Sequence, residues 1–592
     1  MENLIRSHLK MLELLPETCA GNCEEWTCNS GAADIDENHT ATMQARMQAS
    51  MQAPIQAPIQ DGIVQSPYKH SETVQSSFAE FLTEKLRPHG NRIALTDGER
   101  SVTYKELLKK FRCCAAMLQA HNVGPGDKVY CHFGNSIEGF VALYSIGIAG
   151  ATVVLSDPEY KKGEVQQHMK NCDATHVVTD LHHSFKFSPK DQGNSIKTYF
   201  AVGDVPGFIS ISNFDTYTEE NYQEVRRCPG RILVMSYTSG TTGQNKSVEI
   251  AEERFLQKPS GMQVAGLYNA DDVALACEYL TIYLSFSFNF NFICCGARLV
   301  ISDKYWSVPD FISSVKKEKV SLLMTTPSVL NLLASAVAAT ATRLPSLRTV
   351  VSLGASLPKS TAELVISAFK PAEFSNSYGL SEASGDVCFS PAGQLYFDSV
   401  GFPVPDTQVK IIDTKSQRTL PPLERGEIMV RSPYIMVGYY NHCEATAAAV
   451  DGDGWLRTGD MGYYDHSGRL FVTERLKSVI KCLDTKVEPY EVEQCVLELD
   501  CVAEVAVLGV AHPVLGEAPA AIVVLRPKWQ AEEHGRIAQR IKEHVAERLA
   551  VYKELHGGIV FAEELPKTRR GKVLRRLLLT EFVKFKKAGM VH

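Results

Sequence analysis

Apolar and polar positions follow helical and strand rhythms along most of the chain. Phe78, Phe81, Leu82 and Leu86 share one face of a 3.6-residue repeat and predict a short helix. Ile93-Ala94-Leu95 and Ser101-Val102-Thr103-Tyr104 read as strands on either side of a turn at Asp97-Gly98. Leu107, Leu108, Phe111 and Ala115 mark a helix over Tyr104–Ala120, and Lys128-Val129-Tyr130-Cys131-His132-Phe133 reads as a strand. Strand and helix keep alternating past residue 330, the pattern of stacked α/β layers. Nearer the C-terminus, 504–510 and 520–525 predict strands and 536–549 an amphipathic helix. Ser285-Phe286-Ser287-Phe288-Asn289-Phe290-Asn291-Phe292 alternates strictly and by itself predicts a strand.

The rhythm is absent at the N-terminus. Residues 43–58 repeat a four-residue unit of the type Met-Gln-Ala-x, and residues 1–70 read as a disordered, low-complexity extension, with 2–15 able to form a short amphipathic helix. That first stretch mixes Arg, Lys, His and Glu and lacks the apolar core of a secretory signal. The apolar runs 139–156, 279–297 and 320–342 are broken by Gly147 and Gly150, by Asn289 and Asn291, and by Pro327 and Asn331, so they read as buried core and not as transmembrane segments.

At 592 residues the chain exceeds one compact core, so more than one domain is expected. A net charge of -7 supplies no basic footprint for nucleic acid. Of the 16 cysteines, Cys113-Cys114 and Cys294-Cys295 lie inside apolar runs and act as small apolar residues. Cys19, Cys23 and Cys28 lack the partners of a zinc site. A reducing, cytoplasmic setting fits, and the sequence ends Met590-Val591-His592 and not in the peroxisomal Ser-Lys-Leu.

The chemistry concentrates at residues 237–246, Tyr-Thr-Ser-Gly-Thr-Thr-Gly-Gln-Asn-Lys. The apolar run Ile232-Leu233-Val234-Met235 feeds a loop of glycines and hydroxyls that ends in Lys246. Glycines let backbone N–H groups reach phosphate oxygens, hydroxyls add donors and a lysine adds charge. The spacing is not that of the P-loop.

Further segments follow in order: Ser377-Tyr378-Gly379-Leu380-Ser381-Glu382, Gly454-Trp455-Leu456-Arg457-Thr458-Gly459-Asp460, Glu474-Arg475-Leu476-Lys477-Ser478-Val479-Ile480-Lys481, and Leu565-Pro566-Lys567-Thr568-Arg569-Arg570-Gly571-Lys572. Together with the loop they resemble the signatures of the adenylate-forming superfamily, over roughly residues 75–585. That group includes acyl-CoA synthetases, 4-coumarate–CoA ligases, luciferases and peptide-synthetase adenylation domains.

The resemblance implies a fold: α/β, with a large N-terminal domain of stacked sheet layers over residues 71–475 and a small mobile α+β cap over 476–592. It implies that Thr238, Ser239, Gly240, Thr241, Thr242, Gly243 and Lys246 cradle the β- and γ-phosphates of ATP. Glu382 would bind Mg2+, and Ser381 a phosphate oxygen. Ser377, Tyr378 and Gly379 would flank adenine, as would Gly354 and Ala355 in the less conventional segment Ser352-Leu353-Gly354-Ala355-Ser356-Leu357. Asp460 would accept from the ribose hydroxyls, Arg475 would reach ribose or phosphate, and Lys477 would be the hinge. Lys572 would neutralise charge at the phosphorus under attack, and Lys481 would serve the second step with coenzyme A.

Some positions depart from that pattern. Glu249-Ile250-Ala251-Glu252-Glu253-Arg254 is more acidic than expected after the loop. Tyr279-Leu280-Thr281-Ile282-Tyr283-Leu284 has no histidine where relatives carry one near the acyl carboxylate, leaving Tyr283 as a polar aromatic substitute. The resemblance also makes the following Phe-rich run a helix beside the acyl pocket. Cys482-Leu483-Asp484-Thr485-Lys486 puts Asp484 and Lys486 where glycine and glutamine would border the pantetheine tunnel. The expected activity is ATP-dependent activation of a fatty or aromatic carboxylic acid, then thioester formation with coenzyme A. The alternatives are adenylation with another acceptor, a luciferase-like oxygenase, and a non-catalytic nucleotide binder. The small-molecule partners are the acid, ATP and coenzyme A.

Overall fold

The computed structural model describes residues 55–68, 74–189, 196–238, 246–264, 266–301, 307–393, 395–482, 485–512, 515–530, 533–567 and 573–592. It is a mixed α/β protein whose described strands form four sheets. Sequence and structure agree closely in the first layer. The helix Phe78–Leu86 is capped by Ser77 with Glu80 reaching back, and it buries Phe78, Phe81, Leu82 and Leu86. The helix Tyr104–Ala120 has the same capping box in Thr103 and Glu106.

The eight-stranded sheet is built on Lys128–His132, with Thr152–Leu155 and His176–Asp180 parallel on either side. Ile232–Thr238 adds in parallel to Thr152–Leu155, and Lys246–Ala251 returns antiparallel with Thr238 opposite Lys246. The second large sheet aligns Val273–Leu275, Leu322–Thr325, Thr349–Ser352 and Glu373–Leu380 in parallel. The alternating run forms a helix, Tyr283–Cys295, which is buried from Ser285 through Cys295 and ends at Gly296 in the left-handed region. A helix covered on every side shows no polar face, so its period does not register in the sequence. Asn289 instead donates its amide to the Ser285 hydroxyl one turn earlier, at 2.9 Å.

The six-stranded sheet corrects one expectation. Residues 55–68 are ordered: Ile59–Gln60 and Ile63–Gln65 form a hairpin whose second strand pairs with Gln408–Ile412. Val64 is 1% exposed, and the Ala57 amide donates to the Ser467 carbonyl at 2.9 Å. An apolar residue in a polar, repetitive setting had hidden this edge strand. The expected helix at 2–15 lies outside the described residues.

The main core runs from Ala57 to Leu470, and a separate one begins at Ile480. The second surrounds a five-stranded sheet containing Val502–His512, Gly516–Leu525 and Gly558–Phe561. Helices Pro489–Leu497 and His534–Arg548 cover one face, and Arg575–Lys587 covers the other. Among the described residues no helix is long and apolar enough to cross a membrane.

Candidate active site

The sequence-predicted residues converge where the parallel strands Thr349–Ser352 and Glu373–Leu380 end, the usual ligand position in α/β sheets. Gly354 follows the first strand with φ +81°, a left-handed conformation suited to glycine, and it is exposed, with Ala355 half-buried beside it. Tyr378 lies near the end of the second strand, and its hydroxyl donates to Asp460 Oδ2 at 2.7 Å. Asp460 sits opposite Arg475 in the six-stranded sheet, and Arg475 Nε reaches Asp460 Oδ1 at 2.7 Å. Thr458 Oγ1 accepts from the Asp460 amide at 3.1 Å, fixing the turn after Gly459. The carboxylate is 5% exposed and the guanidinium 44%, so the cation faces open space while its partner anchors it.

The electrostatics follow from that packing. Burial alone would pull the Arg475 guanidinium down, but Asp460, Tyr378 and Glu382 outweigh it and the net shift is upward. Burial, then the neighbouring Asp460, pushes the Tyr378 hydroxyl well above its usual range, so it remains a donor.

Glu382 stands on the short turn Ser381–Ala383 that follows Tyr378. Its carbonyl accepts from the Met436 amide at 2.7 Å, and its Oε1 accepts from the Tyr439 hydroxyl at 2.9 Å. Strand Lys246–Ala251 pairs with Gly438–Tyr439 and places the Lys246 ammonium 4.9 Å from the Tyr439 ring centroid. Lys246, Tyr439 and Glu382 therefore form one row beside Asp460 and Arg475. Tyr439 was not found in the sequence; the only signal was an aromatic pair following Gly438.

Among the described residues no three carboxylates, histidines or cysteines cluster as a metal cage. A single half-buried carboxylate suits Mg2+, which keeps waters and phosphate oxygens for its remaining ligands. Glu382 is the residue that fits.

Other expectations meet different surroundings. The Ser377 hydroxyl donates to Asp386 Oδ1 at 3.0 Å and lies 3.1 Å from the Cys388 carbonyl, so its bonds are internal. Gly379 is required by strand pairing: a Cβ there would lie 2.4 Å from the Gly385 carbonyl oxygen. The acidic stretch after the loop is structural. Glu252 bonds Arg231 and accepts from the Phe78 amide, while Arg254 donates to the Ile435 and Met436 carbonyls at 2.7 Å. Ser239, Gly240, Thr241, Thr242, Gly243, Asp484 and Lys572 lie outside the described residues. Thr238 and Lys246, which bound the glycine-hydroxyl segment, pair with each other across two antiparallel strands. Lys477 lies on the turn Leu476–Ser478, between the two cores, and Lys481 on the strand Ile480–Cys482 of the five-stranded sheet.

The family model of the AMP-binding enzymes matches residues 82–440, more than half of the chain, and that of the AMP-binding enzyme C-terminal domain matches 491–572. The chain belongs to the AMP-binding enzymes. It is an adenylate-forming enzyme of the AMP-forming ligase type, with a large N-terminal and a smaller C-terminal domain. It is 28% identical to a 4-coumarate–CoA ligase of Pinus taeda over 509 residues, 83% of this chain and 92% of the relative. It is 28% identical to luciferin 4-monooxygenase of Photinus pyralis over 516 residues, 84% of this chain and 92% of the relative. Its fold is similar to that of ATP-bound MatB from Rhodopseudomonas palustris, with TM-score 0.77, 21% identity, and coverage of 86% of this chain and 99% of that one.

Proposed function

We propose that this AMP-binding enzyme activates a carboxylic acid with ATP, releasing pyrophosphate, and passes the acyl group from its adenylate to coenzyme A. The observation that carries this reading is the convergence of Tyr378, Asp460 and Arg475, from three separate motifs, into one bonded cluster, with Glu382 within electrostatic range of Arg475. Residues 71–475 and 476–592 are the two working domains in this reading, with Lys477 as the hinge.

Adenylation is mostly positioning and charge neutralisation. Asp460 offers acceptors to the ribose hydroxyls and keeps Arg475 extended. Tyr378, locked by Asp460, sets one wall for the base. Lys246 and the glycine-hydroxyl loop balance the β- and γ-phosphates. Glu382 would hold Mg2+, which when bound lowers the negative charge of the triphosphate. Lys572 completes the site when the small domain closes over it, and rotation about Lys477 then presents the Lys481 strand for the thiol step.

A rival reading stops at the adenylate or uses another acceptor. It is favoured by Asp484 and Lys486 at the expected pantetheine tunnel and by the missing histidine near Thr281-Ile282. Incubation with ATP, Mg2+, coenzyme A and a panel of fatty and aromatic acids separates the two. The proposal expects AMP, pyrophosphate and thioester in equal amounts. Acid-dependent pyrophosphate exchange without thioester supports the rival, and ATP binding without exchange refutes both.

A further inference from the structure

Beside the nucleotide cluster lies a buried set of polar groups that the reaction above does not use. Lys258, on the helix Glu252–Val264, is 4% exposed and donates to the Ser384 carbonyl. A Cβ on Gly385 would lie 2.7 Å from Lys258 Nζ and 3.7 Å from the Tyr283 ring, so the ammonium is held against the first turn of the helix Tyr283–Cys295. Asp386, 5% exposed, accepts from Ser377 and lies within electrostatic range of Lys258 without forming an ion pair with it. The hydroxyls of Tyr283 and Tyr268 feel the same carboxylate; that of Tyr283 lies near the Ser384 and Ser287 side chains, and that of Tyr268 has no hydrogen-bond partner among the described residues.

This arrangement is costly as it stands. An ammonium has three N–H donors, and only one is matched by a described acceptor. Burial lowers the Lys258 ammonium to about 8 despite Asp386, and burial raises the Asp386 carboxyl. Buried charge with unused bonding capacity destabilises a fold unless something completes it. The location suggests what does. Asp386 is the register partner of Gly379, and Gly385 that of Leu380, so the set occupies the strand pair that carries Tyr378 and leads to Glu382. On the adenylation reading, an acid whose carboxylate meets the nucleotide at that strand pair would place its body next to Lys258 and Asp386.

We propose that Lys258 and Asp386, with Tyr283, form a specificity element that selects acids bearing a hydroxyl group on the acyl body. This rests on the adenylation reading. A hydroxyl is the simplest neutral group that accepts from an ammonium and donates to a carboxylate at once. An amine is repelled by Lys258, a second carboxylate by Asp386, and a bare hydrocarbon leaves both charges unmatched.

The test uses pairs of acids that differ only by a hydroxyl, an aliphatic and an aromatic pair, in the pyrophosphate-exchange assay with the full-length protein. The readout is the ratio of kcat/KM within a pair, which a partly folded preparation does not alter. Wild type should favour the hydroxylated member of at least one pair by about 10²-fold or more, as sites built to bond a hydroxyl do. K258M, and the double variant K258M/D386L that removes both charges, should bring that ratio to within about threefold, the level left by shape alone. The proposal is overturned by a wild-type preference for the unsubstituted acid in both pairs, or by a hydroxyl preference that survives in both variants, which would make the buried charges purely structural. Exchange with neither member of any pair would instead refute adenylation itself.

Discussion

Arg575 links the end of the large domain to the small one through polar contacts. It sits at the start of the helix Arg575–Lys587 and reaches Glu474 at 3.3 Å and Glu493 at 3.1 Å, and its NH1 donates to the Val507 carbonyl at 3.0 Å. Glu474 ends the strand of the large sheet beside Arg475, whereas Glu493 lies on the helix Pro489–Leu497 of the small domain. Arg575→Met keeps the packing volume and removes the shared cation. Breaking a buried ionic group by removing one partner costs about 3–5 kcal/mol, and the 31% exposure of the Arg575 side chain places this case near 3. For a unit of this size that is roughly 10 °C in the melting of the small domain, measured by calorimetry. The pH dependence has a defined sign. Burial raises both carboxyls, and Arg575 opposes it. Without the arginine both rise further. A carboxyl raised in the folded state contributes stability below its unfolded pKa and loses it as pH rises through the folded value. The deficit of the variant should therefore be small near pH 5 and large near pH 8. A loss under about 1 kcal/mol, or one of equal size at both pH values, would refute this account of the hinge.

Other perturbations probe the site and the fold. Asp460→Ala leaves the buried Tyr378 hydroxyl without its acceptor and frees Arg475, and should lower kcat/KM for ATP in the exchange assay by about 10²-fold, the usual effect of losing one charged contact in a reacting site. Gly379→Ala should cost about 3 kcal/mol in urea unfolding, because its Cβ would meet the Gly385 carbonyl at 2.4 Å. Val64→Asp should cost about 3–5 kcal/mol in the same measurement by burying a lone charge on the N-terminal hairpin; no loss would mean that the hairpin is dispensable to the sheet.

Much of this was legible in the sequence because local signals agreed with one another. The apolar stripe of Tyr104–Ala120 specifies the helix that forms, and the Thr103 and Glu106 capping box seen in the structure agrees with it. The motif residues Tyr378, Glu382, Asp460 and Arg475 were identifiable because their segments resemble the signatures of the adenylate-forming superfamily. Their mutual bonding was not, since Asp460 and Arg475 meet through antiparallel pairing and Tyr378 arrives from another sheet. Tyr439, Lys258 and Asp386 were invisible for the same reason: each meets its partner only through a neighbour distant in sequence. The helix Tyr283–Cys295 and the hairpin at 59–65 were obscured in opposite ways, one by total burial and one by low-complexity surroundings.

The most direct measurement separates the two half-reactions in Lys572→Ala. The account predicts that acid-dependent pyrophosphate exchange falls by about 10²–10³-fold while thioester formation from a supplied acyl-adenylate is retained. Exchange at the wild-type rate in that variant would contradict the claim that the small domain's lysine serves the phosphorus under attack.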